Sequence, residues 1–321
     1  MITVSRFRPA WWLRGAHAQT IWPGLMRRTS PLKLVQERLE LPDEDFIDLA
    51  WTARGSGPIV IVLHGLEGSL HSHYVPGMLS ALDNHGWRAV LMHFRGCSGE
   101  HNRKARSYHS GESGDLRFLV ETLVARHPQA PLAAVGFSLG GNVLLKYLGE
   151  TGPGAKLAVA AAISVPFVLA SGADRLNRGF SKIYQRYLIK RLQNKITGKF
   201  KTRNDAPFSL EEVPEWNTFR LFDNFVTAPL HGFRDCDDYY RRSSCRQFLK
   251  SIRVPTLIVH AEDDPFLTKD AIPESNELPD QVNLEVSARG GHAGFVGGRW
   301  PWKPCYWLEQ RIPEFLHAHL D

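Results

Sequence analysis

Cysteine is scarce and scattered in this chain of 321 residues: Cys97, Cys236, Cys245 and Cys305 form no C-x-x-C pair. Neither a disulfide framework nor a zinc site is expected from them, and reduced thiols in a cytoplasmic compartment fit better. Long apolar runs are missing too. The longest, LAVAAAISVPFVLA from Leu157 to Ala170, is too short to cross a bilayer and carries Pro166 near its end, so it reads as a buried strand entering a loop. The N-terminal stretch MITVSRFRPAWWLRGAHAQT has arginines but no continuous apolar core and no small-residue cleavage site, and no secretory leader is expected. Glycine loops of the phosphate-cradling or dinucleotide type do not occur, and His64, His71 and His73 in HGLEGSLHSH lack H-E-x-x-H spacing. No cofactor and no metal are therefore expected. A formal charge of +6 comes without any nucleic-acid motif, which favours a solvated basic surface over a nucleic-acid partner.

What is present is a well-cored globular chain, 43% apolar. Short apolar runs alternate with helical patterns: PIVIVLHG, WRAVLMHFRG, LAAVGFS, KLAVAAAISV, TLIVHAEDD and NLEVSARGGH, preceded by an antiparallel pair around LVQERLELPD and FIDLAWTA. This is the rhythm of an α/β fold with a mostly parallel sheet and helices on both faces. Between Pro166 and Val254 the rhythm breaks, and a long basic helical stretch stands where one crossover helix would suffice. The expected organisation is a core of residues 1–165 with an N-terminal extension, a helical cap over 166–253, and the rest of the core over 254–321. In the cap, Phe180, Ile183, Tyr187 and Leu192 fall roughly on one helix face, with Lys182, Arg186, Lys190 and Lys195 elsewhere. Packing of that apolar face on the core is the expectation. Peripheral contact with an anionic membrane through the basic helix is the sharper alternative. Trp11, Trp12, Trp22, Trp300, Trp302 and Trp307 are expected to pack the terminal segments on the core rather than to form an association surface.

The stretch AAVGFSLGGNVLLKYL, Ala133 to Leu148, runs from strand to helix through one serine. Gly136 and Gly140, two before and two after, give the corner room and push the Ser138 hydroxyl outward, as in a G-x-S-x-G nucleophile elbow. A serine hydroxyl is a weak nucleophile and needs a base, which needs an orienting acid. Two later strand ends supply candidates in the order serine, acid, histidine: Asp264, with Asp263 as fallback or the two as a helix-capping pair, and then the glycine-flanked His292. The Leu139 N–H follows the nucleophile, and the Leu66 N–H in HGLEGS is its natural partner in an oxyanion hole. His64 is assigned to ordering that loop.

These residues resemble an α/β-hydrolase subfamily that includes the bacterial YheT-like hydrolases and the eukaryotic ABHD1, ABHD2 and ABHD3 group. The similarity is carried by FRPAWWLRGAHAQTIWP, HGLEGSLHSHY, HFRGCSGEHNRKARSYHSGESGDL, GFSLGGN, and the stretch from Asp223 through HGFRDCDDYYRRSS to PTLIVHAEDDPF. The resemblance implies an α/β-hydrolase fold with nucleophile Ser138, an acid in the Asp263–Asp264 pair and base His292. It also implies carboxylesterase activity, as in bacterial members, or lipase or phospholipase activity, as in animal ones. Without an apolar N-terminal membrane segment, soluble carboxylic esters are favoured, and the basic cap leaves lipid-like esters open. The expected activity is ester hydrolysis through an acyl-enzyme. A non-catalytic hydrolase-fold protein that binds lipid or a partner through the cap is the alternative, and transfer of the acyl group to another acceptor would use the same residues.

Overall fold

A computed structural model of the chain describes residues 1–28 and 32–320. Among the described residues there are eleven strands: β1 Ile2–Val4, β2 Leu34–Glu40, β3 Phe46–Thr52, β4 Ile59–Leu63, β5 Arg88–Met92, β6 Leu132–Phe137, β7 Val159–Ile163, β8 Thr256–Ala261, β9 Val282–Ser287, β10 Val296–Trp300 and β11 Lys303–Tyr306. Nine form one sheet in the order β1-β9-β8-β7-β6-β4-β5-β3-β2, and β10 pairs with β11 as a separate hairpin. Every pairing from β1 to β5 along that order is parallel, and β5–β3 and β3–β2 are antiparallel. The chain has an α/β-hydrolase fold.

The sheet forms because its central strands are apolar on both faces. All five residues of β4 and of β7 are fully buried. In β4, Ile59, Ile61 and Leu63 join one core, while Val60 and Val62 join the core on the opposite face, as the two-residue strand period requires. Helices α1 Ala16–Met26, α2 Val75–Asn84, α3 Gly114–Arg126 and α4 Leu139–Thr151 follow in order. Two elements lie beyond the expected strands: β1, held at the sheet edge in register on β9 from Ile2↔Leu284 to Val4↔Val286, and the separate β10–β11 hairpin. Among the tryptophans, Trp12 and Trp22 pack together and Trp307 packs on Phe7 and Phe295. Trp11, Trp300 and Trp302 are exposed, which departs from the expectation that all pack on the core.

Between β7 and β8 the chain builds α5 Leu169–Leu176, α6 Lys182–Phe200, α7 Phe219–Phe222, α8 Ala228–His231 and α9 Cys236–Ser243. These helices share a core of their own, including Ile189, Phe200, Trp216, Phe222 and Tyr239, which touches the sheet domain at Leu66 and Phe266. The expected inward face of α6 is corrected by the structure. Phe180, just before α6, and Ile183 and Tyr187 within it are 49%, 52% and 61% exposed, whereas Leu192 of that face packs against the helices' core and Tyr184, Gln185, Ile189, Gln193, Ile196 and Lys199 point inward. Hydrogen bonds join the apolar contacts of Tyr184, Ile189 and Ile196 on this face: the Gln193 side-chain amide donates to the Val213 carbonyl, and the Lys199 side-chain nitrogen to Asn102 Oδ1 and the Arg106 carbonyl. Lys195 is not part of a solvated face either, for it forms an ion pair with the buried Glu67.

Candidate active site

β6 turns into α4 through Ser138, whose φ of 52° and ψ of −117° lie where an L-residue is strained. Its own N–H donates to the Ile163 carbonyl at 2.8 Å, so the strained turn is tied to β7. A Cβ at position 136 would lie 2.5 Å from the Gly140 carbonyl oxygen, and one at 140 would lie 2.6 Å from the carbonyl oxygens of Leu63 and His64. Only glycine admits that approach of helix to sheet.

His292 stands on the loop after β9 and Asp264 on the loop after β8. His292 Nε2 is 2.9 Å from Ser138 Oγ, and its Nδ1 is 2.8 Å from Asp264 Oδ2. A carboxylate only accepts, so Nδ1–H donates to Asp264 and Nε2 is left to accept the serine proton. Asp264 is 4% exposed, and its other oxygen accepts the Phe266 N–H. Asp263 points elsewhere: its carboxylate accepts the Gly291 N–H and so braces the loop that carries His292. The Phe266 ring stacks on the imidazole at 4.1 Å, and the His292 N–H is held by Thr20 of α1.

Across from Ser138 lies the loop after β4. The Gly65 N–H donates to Tyr74 Oη and the Glu67 N–H to Tyr108 Oη, each at 2.8 Å. Between them the Leu66 N–H has no acceptor among the described residues, and neither has that of Leu139 at the start of α4. Leu66 and Leu139 both border the cavity at Ser138. Buried His64 holds this loop from behind: its Nδ1–H donates to the Gly65 carbonyl and its Nε2 accepts the Phe94 N–H. Burial, offset only in part by the Gly65 hydrogen bond, pushes its pKa down to about 3, so the ring stays neutral in this role. From the helical side, the Arg191 guanidinium donates to the Glu67 carbonyl at 2.6 Å, and the Lys195 ammonium lies 2.6 Å from the Glu67 carboxylate. Tyr74, Tyr108 and Phe266 lie in stretches that carry the resemblance, but no local pattern assigns a role to them or to Lys195. Their positions follow from contacts made across 9 to 128 residues of chain.

The cavity itself is about 100 Å³, walled mainly by Leu66, Leu139, Leu169, Leu188, Phe219 and Phe266. A second space of about 70 Å³ continues it through shared walls at Leu66, Leu139, Phe219, Asp223 and Tyr239. Wider clefts of about 630 and 670 Å³ open elsewhere, and Ser138 borders neither. Among the described residues no three His, Cys, Asp or Glu side chains are grouped to hold a metal, and the four thiols are unpaired. The arrangement can activate a hydroxyl, receive an oxyanion and shelter an apolar chain.

A model of the alpha/beta hydrolase fold matches residues 58–298. The chain is 42% identical to the protein named "Putative esterase YheT" in Escherichia coli K12, over 99% of its own length and 94% of that protein. It is 29% identical to the phospholipase ABHD3 of Mus musculus over its full length and 80% of that protein. The solved esterase Pf2001 of Pyrococcus furiosus superposes with a TM-score of 0.60 at 16% identity, covering all of this chain and 99% of that one. The chain belongs to the alpha/beta hydrolase fold family, in the branch that holds YheT.

Proposed function

We propose that this protein is a serine hydrolase of carboxylic esters, working through an acyl-enzyme, with residues 166–253 as a cap over the site. The observation that carries the reading is the hydrogen-bonded line Ser138–His292–Asp264 facing two unengaged N–H groups across an apolar cavity. Ser138 Oγ attacks the ester carbonyl carbon while His292 Nε2 takes its proton, and Asp264 steadies the imidazolium. The oxyanion is received by the N–H groups of Leu66 and Leu139, each such donor being worth about a hundred- to thousandfold in turnover. Collapse expels the alcohol with the proton from Nε2, and water, deprotonated by His292, then cleaves the acyl–Ser138 ester. The names esterase and phospholipase borne by its relatives favour the same chemistry. Unpaired thiols agree with a cytoplasmic setting.

Labelling with a fluorophosphonate tests the reading. Wild type should be modified on the peptide that contains Ser138, and Ser138→Ala should lose both label and ester turnover. A folded wild type that takes no label refutes it and leaves a non-catalytic binding role. Product analysis with added alcohols separates hydrolysis from acyl transfer.

Lipid-like esters are favoured by the outer face of α6, where exposed Ile183 and Tyr187, with Phe180 just ahead of them, stand beside Lys182, Arg186 and Lys190. That pairing suits peripheral contact with an anionic bilayer. Sedimentation with phosphatidylglycerol vesicles at low salt should carry the protein down, and a triple change of those three cations to Gln should release it. Equal recovery with neutral vesicles would overturn the contact.

A further inference from the structure

Buried carboxylates in this protein are paired with cations or with histidine, with one exception. Asp45 and Asp115 face Arg95, Glu67 faces Lys195, Asp238 faces Arg241 and Arg242, Asp264 faces His292, and Glu285 faces Arg311. Asp223 is 8% exposed, and no Lys, Arg or His makes an ion pair with it among the described residues. Its hydrogen bonds are not what is lacking: Thr227 Oγ1 donates to one oxygen at 2.6 Å and Tyr240 Oη to the other at 2.7 Å. Both donors are neutral. The carboxyl is pushed up to about 6 by burial, against those two hydrogen bonds. A buried carboxylate without a counter-charge carries an uncompensated desolvation cost when ionised, which a cation brought beside it would offset.

The position suggests the use. Asp223 opens a π-helical stretch, Asp223–Thr227, between α7 and α8, and such local distortions gather at functional sites. It borders both the cavity that holds Ser138 and His292 and the space that continues it. Aromatic rings surround it there: Phe219 and Tyr239 border both spaces, Phe222 the second, and Tyr240 the first. A carboxylate in a space walled by aromatic side chains is an environment that a desolvated alkylammonium group favours, because ring quadrupole and charge can act together.

We propose that Asp223 and its aromatic surround form a subsite for an alkylammonium group, so that the preferred esters carry a positive charge that is held beside this carboxylate while Ser138 attacks. The inference rests on the esterase reading for its kinetic arm, but not for its binding arm. For the binding arm, choline and its uncharged isostere 3,3-dimethylbutan-1-ol are titrated calorimetrically into the wild-type protein. Choline should bind tighter by about tenfold or more; equal affinity overturns the subsite whatever the enzyme does. For the kinetic arm, choline butyrate and 3,3-dimethylbutyl butyrate are compared in wild type and Asp223→Asn. The wild type should show the lower KM for the cationic ester, and the ratio of the two kcat/KM values should fall about tenfold in the variant. A ratio that survives in Asp223→Asn overturns the role of the carboxylate. Choline binding without turnover of either ester would uphold the subsite and overturn the Ser138 reading instead.

Discussion

Lys195→Met should destabilise the protein far more than loss of an ordinary surface lysine. The ammonium lies 2.6 Å from Glu67, whose side chain is 4% exposed, while the lysine side chain is itself only 14% exposed. It also donates to Cys97 Sγ at 3.0 Å and lies over the Tyr108 ring. Methionine conserves most of the stem and removes the charge, leaving Glu67 with Tyr108 Oη as a neutral donor and no cation. Breaking a buried pair from one side costs about 3–5 kcal/mol, because the remaining ion keeps its desolvation cost. For a chain of this size, at ~2 °C per kcal/mol, the melting temperature should fall by roughly 6–10 °C. Urea unfolding followed by tryptophan fluorescence gives the same quantity as a lower midpoint at unchanged slope. The double variant Lys195→Met/Glu67→Gln removes both charges and should recover most of the loss, with a coupling energy of about 2–3 kcal/mol in the cycle. Glu67 is the neighbour of Leu66, so ester turnover should fall in the single variant and return in the double. A loss below about 1 kcal/mol for Lys195→Met, or no recovery with Glu67→Gln, would refute the claim that this pair clamps the loop.

Asp264→Asn keeps the shape of the residue but favours the wrong imidazole tautomer, and kcat in ester hydrolysis should drop by about 10³–10⁴. Asp263→Asn, which alters only a brace on Gly291, should cost at least tenfold less than that; equal losses would transfer the orienting role to the pair. Buried His64 sets a pH effect whose sign follows from its depressed pKa of about 3 in the fold, against about 6.5 when unfolded. The unfolded chain takes the proton first, so this contribution is intact above pH 6.5 and is lost as pH falls toward 3. Between pH 4 and 6 the urea-derived stability of wild type should decline more steeply than that of His64→Asn, by up to about 1.4 kcal/mol per pH unit. Parallel slopes would mean that His64 is not held neutral.

The central strands and the elbow were legible because their signals are local. An apolar run such as VAAAI in β7 can be satisfied only between two covered faces, and Gly136 and Gly140 flank Ser138 at the spacing that the turn enforces. Three-residue β1 has no such signal. Its pattern is largely exposed, and it becomes a strand because β9, some 280 residues away, offers it an edge. The outer and inner faces of α6 were interchanged for a related reason. The apolar face read from the sequence is Phe180, Ile183, Tyr187 and Leu192, of which only Leu192 packs on the helices' core, and the helix lies over a loop whose Glu67 carboxylate and carbonyl need donors. Leaving those groups unsatisfied would cost several kcal/mol, roughly what burying two or three apolar side chains returns. The polar partners therefore add to the rotation that buried Tyr184, Ile189 and Ile196 also favour: Gln193, Lys195 and Lys199 are drawn inward to fixed acceptors, and Phe180, Ile183 and Tyr187 are left outside. A periodicity argument sees only the apolar half of that balance, because the acceptors belong to segments distant in sequence. Asp223 escaped for the same reason, since its isolation from any cation appears only once the surrounding helices are in place.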